Sequence, residues 1–148
     1  MSAALPIGEG ASPRETIRVL VCDDSPTYAA ALRRILERGS EIRVVAVCPT
    51  AESAIAAIDE VHPDLVTMDV ELPGMSGVEA VEAIMRTHPV PILVLSSQAR
   101  PGGETAQAAY AAGAAATIAK ADLELRDPDG IAAVALRQCV QMLASPLA

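Results

Sequence analysis

Between residue 17 and residue 142, five short apolar runs alternate with five stretches of helical periodicity. This alternation leaves few folds open, because successive parallel strands need crossover helices and those helices must cover the sheet. The runs are Ile17–Cys22 and residues 42–47, 65–68, 91–95 and 115–119. Ser25 as N-cap and Pro26 at the first helical position open the first helix. Its stripe is Tyr28, Leu32, Ile35 and Leu36, and Gly39 ends it. Ala51, Ala54, Ile55 and Ile58 mark the second. Ser76 and Glu79 read as the capping box of a third, striped by Val78, Val81, Ile84 and Met85. An Ala-rich fourth helix ends near Gly113, and Ile131, Val134, Ala135, Gln138 and Met142 mark the fifth. The pattern predicts an α/β fold: a doubly wound five-stranded parallel sheet flanked by five helices. Residues 1–15, with Pro6, Gly8, Gly10 and Pro13 and no periodicity, read as a flexible tail. Residues 16–148 read as one domain, undivided by any interior linker.

Composition removes several classes of function. The net charge is −8 and no Lys/Arg-rich run offsets it, which argues against nucleic-acid binding. With no Phe or Trp and only Tyr28 and Tyr110, there is no aromatic platform on which bases could stack. Cys22, Cys48 and Cys139 are too far apart for a zinc site or a redox dithiol. Cys22 and Cys48 read as small core residues. An odd cysteine count and a start without a signal-peptide pattern predict the cytoplasm. The most apolar stretch, residues 105–119, is interrupted by Gln107, Tyr110 and Gly113 and is too short to cross a bilayer.

In an open parallel sheet, ligands bind beyond the carboxyl ends of the strands. The first run ends in Asp23-Asp24, the third in Asp69, the fourth in Ser96 and the fifth in Lys120. Each alone has an ordinary explanation as a cap, a loop start or a solvated strand end. Their joint arrival at one sheet edge is what points to a site. Three converging carboxylates repel one another and call for a cation, and hard oxygen ligands suit Mg²⁺. Mg²⁺ and Lys120 together balance Asp23, Asp24 and Asp69, so that Asp69 can act as a nucleophile toward a phosphoryl group. The Ser96 hydroxyl and a nearby backbone N–H can hold one phosphoryl oxygen. Glu71, Glu79 and Glu82 read as solvated. His62 and His88, both before a proline at helix ends, offer no Ser-His-Asp arrangement.

Asp23-Asp24, Asp69, Ser96 and Lys120 with this βα spacing resemble the receiver domains of two-component response regulators. The resemblance covers about residues 17–143. Asp69-Val-Glu-Leu-Pro-Gly-Met-Ser-Gly77, Leu95-Ser-Ser97 and the extended loop from Lys120 to Gly130 are closer to the receiver of chemotaxis-type protein-glutamate methylesterases. It implies a flavodoxin-like strand order 2-1-3-4-5 and a phosphoryl group accepted on Asp69 from a histidine kinase. It also implies Mg²⁺ held by Asp23, Asp24, Asp69 and the Glu71 backbone carbonyl. Ser96 and Lys120 would couple the phosphate to a partner or effector. No enzyme is implied in this chain beyond its own phosphorylation and dephosphorylation.

Three departures from the family pattern bear on readout. An aromatic residue usually stands three before the Lys, where this chain has Thr117. A proline usually follows it, where this chain has Ala121. Glu71 and Gln98 occupy positions that tune phosphate lifetime in the family. Three alternatives stay open: a degenerate receiver acting as a scaffold, the regulatory fragment of a methylesterase, and a small metal-dependent phosphatase. The last is weakened by Glu71, where such enzymes place a second Asp. The family's usual partner surface falls on the Ala-rich residues 108–112 and on 131–142, a face suited to docking a partner's helix or a second copy as a homodimer through the last helix, and changing Val134 or Gln138 to Arg would weaken either assembly.

Overall fold

A computed structural model describes residues 16–97 and 103–144. The N-terminal tail, Gln98, most of the loop before the fourth helix and the last four residues lie outside the described residues. The element order is β1 (Ile17–Cys22), α1 (Pro26–Leu36), β2 (Ile42–Cys48), α2 (Ala51–Val61), β3 (Leu65–Asp69), α3 (Gly77–Thr87), β4 (Ile92–Ser96), α4 (Glu104–Ala112), β5 (Ala116–Ala119) and α5 (Ile131–Ala144). All strand pairs are parallel and the sheet order is β2-β1-β3-β4-β5. The doubly wound fold read from the alternation is the one observed.

Strand residues alternate between two cores, as the pleat requires. Val19, Val21, Leu65, Leu93 and Leu95 pack with α1 and α5. Leu20, Cys22, Val66, Met68, Ile92 and Val94 pack with α2, α3 and α4. The caps read from sequence are in place: Ser25 accepts from Tyr28 N, Ser76 and Glu79 form a capping box, and Gly113 closes α4 at φ 118°. Strand four starts one residue later than expected, at Ile92, since Pro91 has no N–H to give the ladder. Cys22 and Cys48 are buried, and burial above all pushes the Cys22 thiol up to about 12.

The expected stripe of α5 is corrected. Ile131 is 91% exposed, Met142 75% and Val134 36%, while Ala133, Leu136 and Val140 face the core. This helix is apolar on most faces, so helical periodicity alone does not single out the inward stripe. Truncating Leu136 to Ala is expected to cost about 2–5 kcal/mol in chemical unfolding. Truncating Val134 to Ala is expected to cost less than about 0.5 kcal/mol. Equal costs would contradict this orientation.

The segment between β5 and α5 begins with a 3-10 turn, Lys120–Asp122, and contains no cis peptide bond. Arginines fasten it to α1. Arg34 donates to Leu125 O at 3.2 Å and Arg137 donates to Pro128 O and Ile35 O at 2.8 and 3.1 Å. Arg38 pairs with Asp129 at 2.8 Å.

Candidate functional site

The carboxyl ends of β1, β3, β4 and β5 lie side by side. In register, Cys22 pairs Met68, Asp69 pairs Leu95 and Ser96 pairs Ala119. One residue beyond or at these ends stand Asp23, Asp69, Ser96 and Lys120, so the sheet itself converges four of the residues read from sequence.

Asp23 and Asp69 are each 3% exposed, whereas Asp24 is open to solvent. Each of the three carboxylates offers an oxygen within 4.8 Å of those of the other two. Lys120 bridges the inner pair: its Nζ lies 3.1 Å from Asp23 Oδ2 and 3.4 Å from Asp69 Oδ2. The remaining oxygens are oriented by backbone donors, Ser25 N to Asp23 Oδ1 at 2.9 Å and Glu71 N to Asp69 Oδ1 at 3.0 Å. An all-oxygen donor set on an edge that is half open to water fits a hard cation that keeps several waters, such as Mg²⁺.

Asp69 is further fixed through its backbone. Val70 N donates to Leu95 O and Gly77 N to Val70 O, both at 3.1 Å. A Cβ on Gly77 would meet Asp69 O at 2.5 Å and Val70 Cα at 2.6 Å. Glycine at this position lets the start of α3 press against the chain that carries Asp69.

Glu71 is not solvated as expected. Its carboxylate accepts from Ser96 Oγ at 2.5 Å and from Ser97 N and Ser97 Oγ at 3.1 Å each. The turn after Asp69 folds its side chain back toward β4, which a residue-type reading cannot anticipate. Glu79 has its capping role at Ser76 and Glu82 is exposed. Among the described residues, the pocket therefore holds four carboxylates against one ammonium.

Two tyrosines add contacts that sequence reading missed. Tyr28 lies in the first turn of α1, and its ring centroid is 4.2 Å from Lys120 Nζ. Its hydroxyl is buried without a hydrogen-bond partner among the described residues, and burial, then Asp23 and Asp69, push the phenol up to about 12. Its place five residues after Asp23 was the available signal. Tyr110, half exposed on α4, accepts at its hydroxyl from Thr117 N at 3.3 Å. The neighbouring helix thus supplies an aromatic hydroxyl to the backbone of β5 at Thr117.

The electrostatics follow from burial and charge. Burial raises the Asp69 carboxyl above its ordinary value, assisted by Asp23 and Glu71 and opposed by the Glu71 N–H and Lys120. Burial also pushes Glu71 up, but the hydrogen bonds from Ser96 and Ser97 and the charge of Lys120 outweigh it and leave Glu71 low. A carboxylate whose pKa is higher folded than unfolded opposes folding when ionised, and the penalty fades as pH falls through the raised value. Asp69→Asn is therefore expected to raise the melting temperature of the metal-free protein at neutral pH. Thermal unfolding in EDTA reads this directly, and a loss of stability in Asp69→Asn would contradict it.

His62 and His88 cap α2 and α3 at their C-termini, ahead of β3 and β4. They stand at the opposite end of the sheet from Asp69. Among the described residues, no helix is long and apolar enough to cross a membrane.

The family profile of the response regulator receiver domain matches residues 19–133. A protein-glutamate methylesterase/protein-glutamine glutaminase of Agrobacterium fabrum is 41% identical over 103 residues, 70% of this chain and 29% of that protein. A second of that name, from Carboxydothermus hydrogenoformans, is 37% identical over 125 residues, 84% of this chain and 33% of that protein. This chain thus spans about a third of the curated relatives it matches. The crystal structure of the response regulator domain of Thermotoga maritima CheB superposes with a TM-score of 0.77 at 28% identity, covering 87% of this chain and 96% of that one.

Proposed function

This chain belongs to the response regulator receiver domain family, and from that premise we propose that it is a phosphorylatable switch whose acceptor is Asp69. The observation that carries the reading is the Lys120 ammonium bridging Asp23 and Asp69 beside a third carboxylate, at the carboxyl edge of the sheet. Asp23, Asp24, Asp69 and the Glu71 carbonyl are the proposed Mg²⁺ ligands. When bound, Mg²⁺ supplies positive charge opposite the transferred phosphoryl oxygens.

The chain's own residues do the rest. The Glu71 N–H holds Asp69 Oδ1 in place and Lys120 holds Oδ2, so the nucleophile is aimed before a donor arrives. Lys120 then neutralises charge on the phosphoryl group in the transition state. Ser96 and Ser97 stand on the adjacent strand end as donors to phosphoryl oxygens. A histidine kinase is the proposed phosphodonor and a protein or effector domain the proposed target, both in the cytoplasm. The methylesterase relatives suggest a chemotaxis-like pathway; no ester-hydrolysing chemistry is proposed for this chain.

Intact-mass analysis after incubation with acetyl phosphate tests the reading. The expected result is a one-phosphoryl gain that needs Mg²⁺ and is lost in Asp69→Asn. No gain in wild type under any condition would leave the scaffold reading, which Thr117 and Ala121 favour. Rapid turnover of generic phosphate esters would instead indicate a phosphatase.

For the partner surface, we propose a homodimer through α5, on the exposed Ile131, Val134 and Met142. Val134→Arg is expected to shift the sedimentation profile toward monomer without lowering thermal stability. An unchanged profile would count against this face.

A further inference from the structure

We propose that the Glu71 carboxylate is an internal stand-in for the phosphoryl group, holding Ser96 and Ser97 until a phosphoryl group on Asp69 displaces it. The inference rests on Asp69 being the acceptor, and it concerns what controls uptake there.

Glu71 meets both halves of the site. Its N–H holds the acceptor oxygen of Asp69, and its carboxylate takes Ser96 Oγ, Ser97 N and Ser97 Oγ. Charge-assisted bonds of this kind are the strong ones, and an anion with two or three oxygens is what such a donor cluster suits. Ser96 is fully buried, so its hydroxyl has no free access to water. Its single proton is committed to Glu71 Oε2 and cannot also serve a phosphoryl oxygen. The same holds for the one proton of Ser97 N. A phosphoryl group brings further negative charge beside a carboxylate that already repels Asp69, so the two anions compete rather than share.

Uptake then couples two events. An Asp69 oxygen attacks phosphorus, the new O–P bond forms, and the bond to the leaving group breaks with its electron pair going to that group, acetate in the case of acetyl phosphate. Glu71 neither gains nor loses a proton. The Ser96 and Ser97 donors pass from Glu71 to phosphoryl oxygens, and the Glu71 side chain turns out toward solvent. In a chain with Thr117 at the customary aromatic position, this displaced carboxylate gives the β3–α3 loop a surface charge that the resting state holds inward.

The test compares wild type, Glu71→Gln, Glu71→Ala and Asp69→Asn for binding of beryllofluoride, a tetrahedral phosphoryl mimic. Binding is read by calorimetry at Mg²⁺ concentrations shown to saturate each variant. Glu71→Gln keeps the shape, and thermal unfolding checks that each variant is folded. Glu71→Ala is expected to bind beryllofluoride about tenfold tighter than wild type, with Glu71→Gln between the two. Initial rates with acetyl phosphate are expected to rise in the same order. If both Glu71 variants bind no tighter than wild type while Asp69→Asn abolishes binding, the stand-in role is overturned and the acceptor role survives. If no variant binds, Glu71→Ala included, both fall together.

Discussion

Exchanging Lys120 for alanine is expected to slow phosphoryl uptake from acetyl phosphate by roughly a hundredfold or more, the usual consequence of removing one preorganised charge from a transition state. Lys120 is the one cationic side chain within 4 Å of the carboxylates at the carboxyl ends of β1 and β3 among the described residues. Without it Asp23 and Asp69, both buried, face each other and Glu71 with no compensating side chain. The loss therefore has a second signature in stability. Breaking a buried pair from one side leaves the other charge stranded, so Lys120→Ala is expected to unfold at lower temperature than wild type in EDTA. Added Mg²⁺ is expected to restore most of the difference. The Tyr28 ring separates charge from bulk: Lys120→Met fills the space over the ring but is expected to share the rate loss. Wild-type rates in Lys120→Met would remove Lys120 from the chemistry.

Gly77→Ala is expected to damage the site without touching a functional group. The added methyl would lie 2.5 Å from Asp69 O and 2.6 Å from Val70 Cα, both backbone atoms that cannot rotate away. Either α3 retreats or the end of β3 shifts, and either movement breaks Gly77 N to Val70 O and disturbs the turn that aims Asp69 Oδ1. Overpacking of this kind costs about 1–3 kcal/mol. A displacement of the nucleophile by about 1 Å is enough for a hundredfold loss in rate. Chemical unfolding and acetyl phosphate kinetics measure the two effects. Unaltered kinetics in a destabilised Gly77→Ala would show that the β3–α3 loop tolerates the shift.

What could be read from the sequence was what local physics controls. The short apolar runs and the helical patterns placed all ten elements, and Ser25, Ser76 and Gly113 marked ends because caps are short-range devices. The convergence of Asp23, Asp69, Ser96 and Lys120 followed from one rule about parallel sheets. The strand order rested on family resemblance, since the alternation alone fits several arrangements. The inward face of α5 was misread because Ala, Val and Leu surround that helix, and the sheet selects Leu136 over Val134. Nor did residue order separate Asp23 from Asp24, which differ in burial because only Asp23 turns inward to Lys120. Glu71 was missed for a related reason. Its partners Ser96 and Ser97 lie 25 and 26 residues away, joined to it only by the pairing of β3 with β4.

The central claim is that Asp69 itself carries the phosphoryl group. Reduction of the acetyl phosphate-treated protein with borohydride, followed by peptide mass spectrometry, locates it, because an aspartyl phosphate is reduced to homoserine and a free carboxylate is not. The account predicts homoserine at position 69, formed only when Mg²⁺ was present. Homoserine at Asp23 or Asp24, or a phosphoryl group on Ser96 with Asp69 intact, would contradict it.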